Sequence, residues 1–258
     1  MLFRSLSGHS LIDSVGEGRD WMVERTLAPA LRGIWGEMKE NGRLASEHHA
    51  GRGAMQLLAE DIKAAGKSGK KGNWELHVVA HSAGSIFFAY MLRHILELGL
   101  PLKSVQFLAP AVELDVFRDK VFVPASAGQC PLPILYLLSE TGELDDTVGS
   151  QLVYGKSLLY LVSNACEKKR GTPILGMNAF LKQDAAMNAA YQGKAPDGLP
   201  SLIIAGANRE PDGLEKASSQ STSHGGFDND VATMNSVLHR ILGGAPTRPF
   251  SRHDLSYD

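Results

Sequence analysis

The chain has 258 residues, of which 43% are hydrophobic and 21% charged. That length suits one large domain or two small ones and buries a sizeable core without staples, and the composition excludes wholesale disorder. Lys plus Arg number 26 against 28 Asp plus Glu, a net charge of −2, so no strong basic field favours nucleic acid. The two cysteines, Cys130 and Cys166, form neither a disulfide framework nor a metal-type spacing. Met1–Gly8 lacks the pattern of a signal peptide. The longest apolar runs fall well short of the ~18–20 residues of a membrane helix, so a cytoplasmic protein is expected.

The front of the chain reads as helical. Trp21, Leu27, Leu31, Ile34, Trp35 and Met38 recur at roughly helical spacing from Asp20 to Lys39. Pro29 interrupts them, so one kinked helix or two short ones are both compatible. A second helix is predicted over Gly53–Ala65, with Met55, Leu58, Ala59 and Ile62 on one face. The polar stretch Lys63–Asn73 reads as a loop.

Strands and helices then alternate. Short apolar runs at Glu75–Ala80, Ser104–Leu108, Ile134–Leu138 and Leu202–Ala205 have the character of parallel strands buried on both faces. Helices are predicted over Ser85–Leu98, Leu152–Cys166 and Asp230–Leu242, the first stopped by Gly99 and the last by Gly243-Gly244. This order implies an α/β fold with right-handed crossovers and a mostly parallel sheet flanked by helices.

The first strand runs into Ala80-His81-Ser82-Ala83-Gly84, and a helix begins at once. A Ser on so sharp a turn needs small residues two before and two after it, because these come close together. The segment resembles the Gly-x-Ser-x-Gly nucleophile elbow of the α/β-hydrolase superfamily, with Ala80 in place of the first Gly, and in that elbow the turn lifts the hydroxyl above the sheet edge and sets the next N–H, here that of Ala83, beside a developing oxyanion. The following helix aims its positive end at the same spot. An ordinary β-to-α turn with a capping Ser is the plainer alternative.

The resemblance implies a Ser, acid, His order along the chain. After the third strand, Gly142, Asp145 and Val148 match a Gly-x-x-Asp-x-x-Val spacing found in related hydrolases, which makes Asp145 the expected acid. Asp146 is the first alternative, followed by Glu140, Glu143 and Asp115. A solvated acidic loop is the bland reading of the cluster. His224, in Ser223-His224-Gly225-Gly226-Phe227, is the one histidine between the last strand and the final helix, and so the expected base. Asp228 and Asp230 fit helix capping better than metal binding. His77, His81 and the pair His48-His49 read as incidental, and neither metal nor cofactor is expected.

The implied chemistry is hydrolysis of a carboxylic ester, with short to medium acyl chains. Ser82 attacks, His224 takes its proton, Asp145 orients His224 and the Ala83 N–H binds the oxyanion. A thioesterase, amidase or acyltransferase would use the same residues, and a catalytically silent binding module of the same fold is the competing class.

The resemblance covers roughly 74–243 within a single domain spanning 1–258. The front, 1–73, reads as helices instead of the superfamily's leading strands, so the implied domain is N-terminally trimmed. The second oxyanion donor stays unassigned, and Gly8-His9-Ser10 offers no defensible substitute. The nucleophile strand becomes a sheet edge, to be covered by the front helices or by a second subunit in a homodimer. The stretch 148–200 is either a lid or pocket insertion or core packing, and 244–258 is a tail.

Overall fold

The computed structural model describes residues 11–46, 57, 60–61, 64, 75–148, 154–206 and 216–256, and the side chains of these from residue 17 onward. The predicted helix over Gly53–Ala65 lies outside the described residues except at 57, 60, 61 and 64, which are helical. Gly8-His9-Ser10 and His48-His49 also lie outside them.

Four strands form one parallel sheet in the order β1-β2-β3-β4: β1 (Leu76–His81), β2 (Leu102–Leu108), β3 (Ile134–Leu137) and β4 (Leu202–Ile204). The chain is thus of α/β type. Strand neighbours in space are neighbours in sequence, and β1 is one edge of the described sheet.

The period-2 alternation of side chains divides the sheet residues between two cores. On one face, Ala80, Val105, Phe107, Leu135 and Leu137 meet α2 (Gly84–Glu97) through Ile86, Phe88, Ala89, Leu92 and Ile95. The same layer takes in a helical run over 114–126, which joins α3 (Leu114–Phe117) and α4 (Val123–Ser126) through a π-helical turn, Arg118–Phe122. On the other face, Leu108, Ile134, Tyr136 and Ile203 pack with Phe227 and with Val237 of the last α-helix. The β1 residues facing this way are less covered, and Val79 is exposed.

After β3 come α5 (Glu140–Asp145), α6 (Leu158–Leu161) with a following π-helical turn Val162–Cys166, α7 (Asn178–Leu181) and α8 (Ala185–Tyr191). The sequence predicted a single helix over Leu152–Cys166. Helix begins instead at Leu158, because Ser157 caps it by accepting from the Tyr160 N–H and Tyr154 pairs with Val148. Within 148–200, Leu159, Val162, Ala165, Ile174 and Met177 are core, and Leu175, Leu181, Met187 and Tyr191 join the core on the sheet face. After β4, α9 (Val231–Leu242) is capped by Asp230, which accepts from the Thr233 N–H, and stops at Gly243 in the left-handed region (φ 65°).

Helix α1 (Leu11–Ser46) is continuous through Pro29. It packs on α2 and on the Val162–Cys166 turn. Of the expected apolar stripe only Leu31 and Trp35 face inward, while Trp21, Leu27, Ile34 and Met38 are exposed. The buried positions are Asp20, Glu24, Ala28 and Ser46, with Val23, Leu31 and Trp35 partly covered. The reason is a set of polar partners on the facing segments. Asp20 accepts from the Gly155 N–H. Glu24 accepts from the Tyr154 hydroxyl, the Asn164 amide and Arg170. Lys39 bridges Glu113 and Glu167, and Trp35 donates to Glu167. Cys130 and Cys166 are free thiols, held up to about 11 by burial. No helix among the described residues is long and apolar enough to cross a membrane.

Candidate active site

The turn between β1 and α2 is built as its residues require. Ser82 has φ +49°, a left-handed conformation that a side chain adopts only when its surroundings enforce it. Four hydrogen bonds enforce it. The Ser82 N–H donates to the Leu108 carbonyl, and the Ser82 carbonyl accepts from the Ser85 N–H, the Ser85 hydroxyl and the Ala111 N–H. Ser85, fully buried, also accepts from the Val112 N–H and so ties the turn to the end of β2. The small residues flanking the turn do come together: a Cβ on Gly84 would lie 3.5 Å from that of Ala80.

Ser82 Oγ lies 2.8 Å from His224 Nε2. His224 is 4% exposed and opens a 3-10 turn, His224–Gly226. β4 stands three strands from β1, about 14 Å at ordinary strand spacing. The chain after β4 therefore returns across the sheet end to deliver this residue. Burial, helped by the neighbouring His81, holds the His224 imidazole down to about 4, so it is neutral near pH 7 and its Nε2 can accept the Ser82 proton. Nδ1 then carries the other N–H. That atom is buried and has no hydrogen-bond partner among the described residues. An unmatched buried donor costs on the order of 1–3 kcal/mol, so it marks a place where something other than stability is being served.

The structure does not bring Asp145 to His224. Asp145 is the exposed last residue of α5. The helix ends there, and Asp146, in extended conformation (ψ 135°), turns towards the His224 loop. Asp146 Oδ2 accepts from the His224 backbone N–H at 2.8 Å. Of the other expected carboxylates, Glu140 pairs with Lys182 and Asp115 with Arg118, both away from His224. Glu143 is buried at 2% exposure and accepts from the Ser157 hydroxyl, while its Oε1 has no hydrogen-bond partner among the described residues. Desolvation, reinforced by the charge of Asp146, pushes its carboxyl up to about 7.

Ala83 stands at the N-cap of α2 in helical conformation (φ −61°, ψ −20°). Among the described residues no backbone bond engages its N–H, which leaves it available at the positive end of the helix. Two residues without an assigned role in the sequence take part in the geometry: Ser85, described above, and His81, whose Nε2 lies 2.8 Å from the His224 carbonyl oxygen. Both partners of His81, the His224 carbonyl and Asp228, lie in the returning loop, and no local signal reveals them. Asp230 caps α9 as expected.

No family model, no curated protein and no solved structure matches this chain.

Proposed function

We propose that this protein is a serine hydrolase of α/β-hydrolase type that cleaves carboxylic esters through an acyl-enzyme. The observation that carries the reading is the 2.8 Å approach of Ser82 Oγ to His224 Nε2, made by a Ser held at φ +49° on a strand-to-helix turn. A hydroxyl is a weak nucleophile until a neutral base receives its proton. On this reading Ser82 attacks the ester carbonyl as His224 takes the proton. The Ala83 N–H stabilises the oxyanion. His224 then returns the proton to the departing alcohol and activates water against the acyl-enzyme. On this reading Asp146, and not Asp145, is the carboxylate that holds the base, and it does so through the His224 backbone N–H and not through the imidazole.

The parallel sheet order supports the same type, since consecutive strands lead from the nucleophile at one edge to the base after the last strand. The test is labelling by a fluorophosphonate, which reports an activated Ser without knowledge of the substrate, together with a panel of nitrophenyl esters of graded chain length. Stoichiometric labelling at Ser82, and turnover lost in Ser82→Ala, are expected. Absence of both would favour the catalytically silent binding module.

A further inference from the structure

The elbow position before the nucleophile is occupied by His81, and its side chain reaches across to the residue expected to act as base. His81 Nε2 is 2.8 Å from the His224 carbonyl oxygen. A carbonyl only accepts, so His81 Nε2 carries the proton and donates. The other ring nitrogen, Nδ1, stands 3.8 Å from Asp228 Oδ2. The His81 and His224 rings lie side by side, with centroids 5.5 Å apart and planes tilted by 32°. On the opposite side of the same residue, Asp146 accepts from the His224 N–H. His224 is therefore gripped at both ends of its own backbone, its N–H by Asp146 and its C=O by His81. Its ring nitrogen Nδ1, where a hydrolase base would ordinarily be steered, has no hydrogen-bond partner among the described residues.

We infer that His81 is a positioning residue: braced by Asp228, it holds the His224 carbonyl and so aims the imidazole at Ser82, the orientation coming through the backbone of the base. This rests on the hydrolase reading above. The residue sits where it can do so because β1 residues with odd numbers face the less covered side of the sheet, over which the His224 loop returns. His81 and Asp228 are partly exposed, 26% and 39% at the side chain, so the brace closes the rim of the site. The Asp228 carboxylate pairs with His81 when the ring is protonated; the neutral ring, with its proton on Nε2, turns a lone pair at Nδ1 towards it.

The experiment compares wild type, His81→Leu, His81→Gln and Asp228→Asn by two readouts. One is the second-order rate of fluorophosphonate labelling at Ser82, with nitrophenyl-ester kcat and KM beside it. The other is carbethoxylation of His224 by diethylpyrocarbonate, mapped by peptide mass spectrometry, which needs no activity. His81→Leu should slow labelling and kcat by about 10- to 100-fold with little change in KM, the cost expected of a misplaced catalytic group. It should also speed modification of His224. His81→Gln, whose amide N–H can still reach the carbonyl, should recover most of both losses. Asp228→Asn should show a smaller loss of the same kind, and it tests the brace should His81→Leu fail to fold. Labelling in His81→Leu within about twofold of wild type would overturn the inference and leave the hydrolase reading standing. No labelling of the wild type would overturn the hydrolase reading. In that case unchanged carbethoxylation of His224 in His81→Leu would overturn the grip as well.

Discussion

Replacing Glu143 by Gln should make the protein's stability respond to pH in a way that can be worked out beforehand. Glu143 is 2% exposed, and its carboxyl titrates near 7 in the folded chain against an ordinary 4.5. Its folded value is raised, so the sign is as follows. Below about pH 4.5 both states hold the proton and the group contributes nothing. Between 4.5 and 7 the unfolded chain releases the proton while the folded chain retains it, and stability falls. Above 7 the loss is complete. The separation of the two values corresponds to about 3 kcal/mol at 1.36 kcal/mol per unit. Gln keeps the shape and can accept from the Ser157 hydroxyl, but it does not titrate. His224 contributes with the opposite sign, losing stability as pH falls from 6.5 towards 4, yet it is present in both proteins and cancels from their difference. Urea unfolding of both at pH 4.5 and pH 8 should therefore show the variant gaining about 3 kcal/mol relative to wild type over that interval, whatever fixed cost the amide carries. Parallel stability profiles would refute the reasoning, since they would mean that Glu143 is either solvated or already ionised in the folded chain.

Because His224 titrates near 4 in the folded protein, kcat/KM for a nitrophenyl ester should hold its plateau well below pH 6 and fall only as protonation removes the base near pH 4. An acid limb at 6.5 would show that the imidazole is more solvated than its burial implies. Asp146→Ala should cost kcat about 10²-fold or more, and Asp145→Asn no more than about twofold; the reverse ranking would return the acidic role to Asp145. Gly176→Ala should destabilise by about 1–3 kcal/mol in urea unfolding, because its Cβ would stand 2.5 Å from the Pro110 carbonyl oxygen. Gly225→Ala, with open space around the added methyl, should stay within about 0.5 kcal/mol of wild type.

The sheet was legible because its strands are short apolar runs, and the elbow because a strand, a small–Ser–small turn and a helix follow one another without a gap. Ser82 and His224 were legible from chain order. The carboxylate that meets the His224 backbone was not, for a local reason. Asp145 and Asp146 are adjacent, and which of them faces the site depends on the residue at which α5 stops, a matter of one hydrogen bond at the helix end. The face of α1 was legible only in part, at Leu31 and Trp35. Hydrophobic periodicity assumes that a helix buries its apolar stripe, whereas α1 turns Asp20 and Glu24 inward because Tyr154, Gly155, Asn164 and Arg170 meet them. The role of His81 depends on partners in the returning loop, 143 residues away for the His224 carbonyl, and residue type alone says nothing of it.

Ser82 and His224 are separated by 142 positions along the chain, and they meet only through the sheet that runs between them. On the proposed hydrolase reading, the reactive pair is thus a clasp fastened by the whole fold. A nascent chain would then carry its nucleophile early and its base late, and a partly synthesised or partly unfolded molecule would hold a serine of ordinary inertness. Labelling of Ser82 would then count assembled molecules one by one, and its rate of appearance during refolding would time the arrival of the last strand and not the formation of the first.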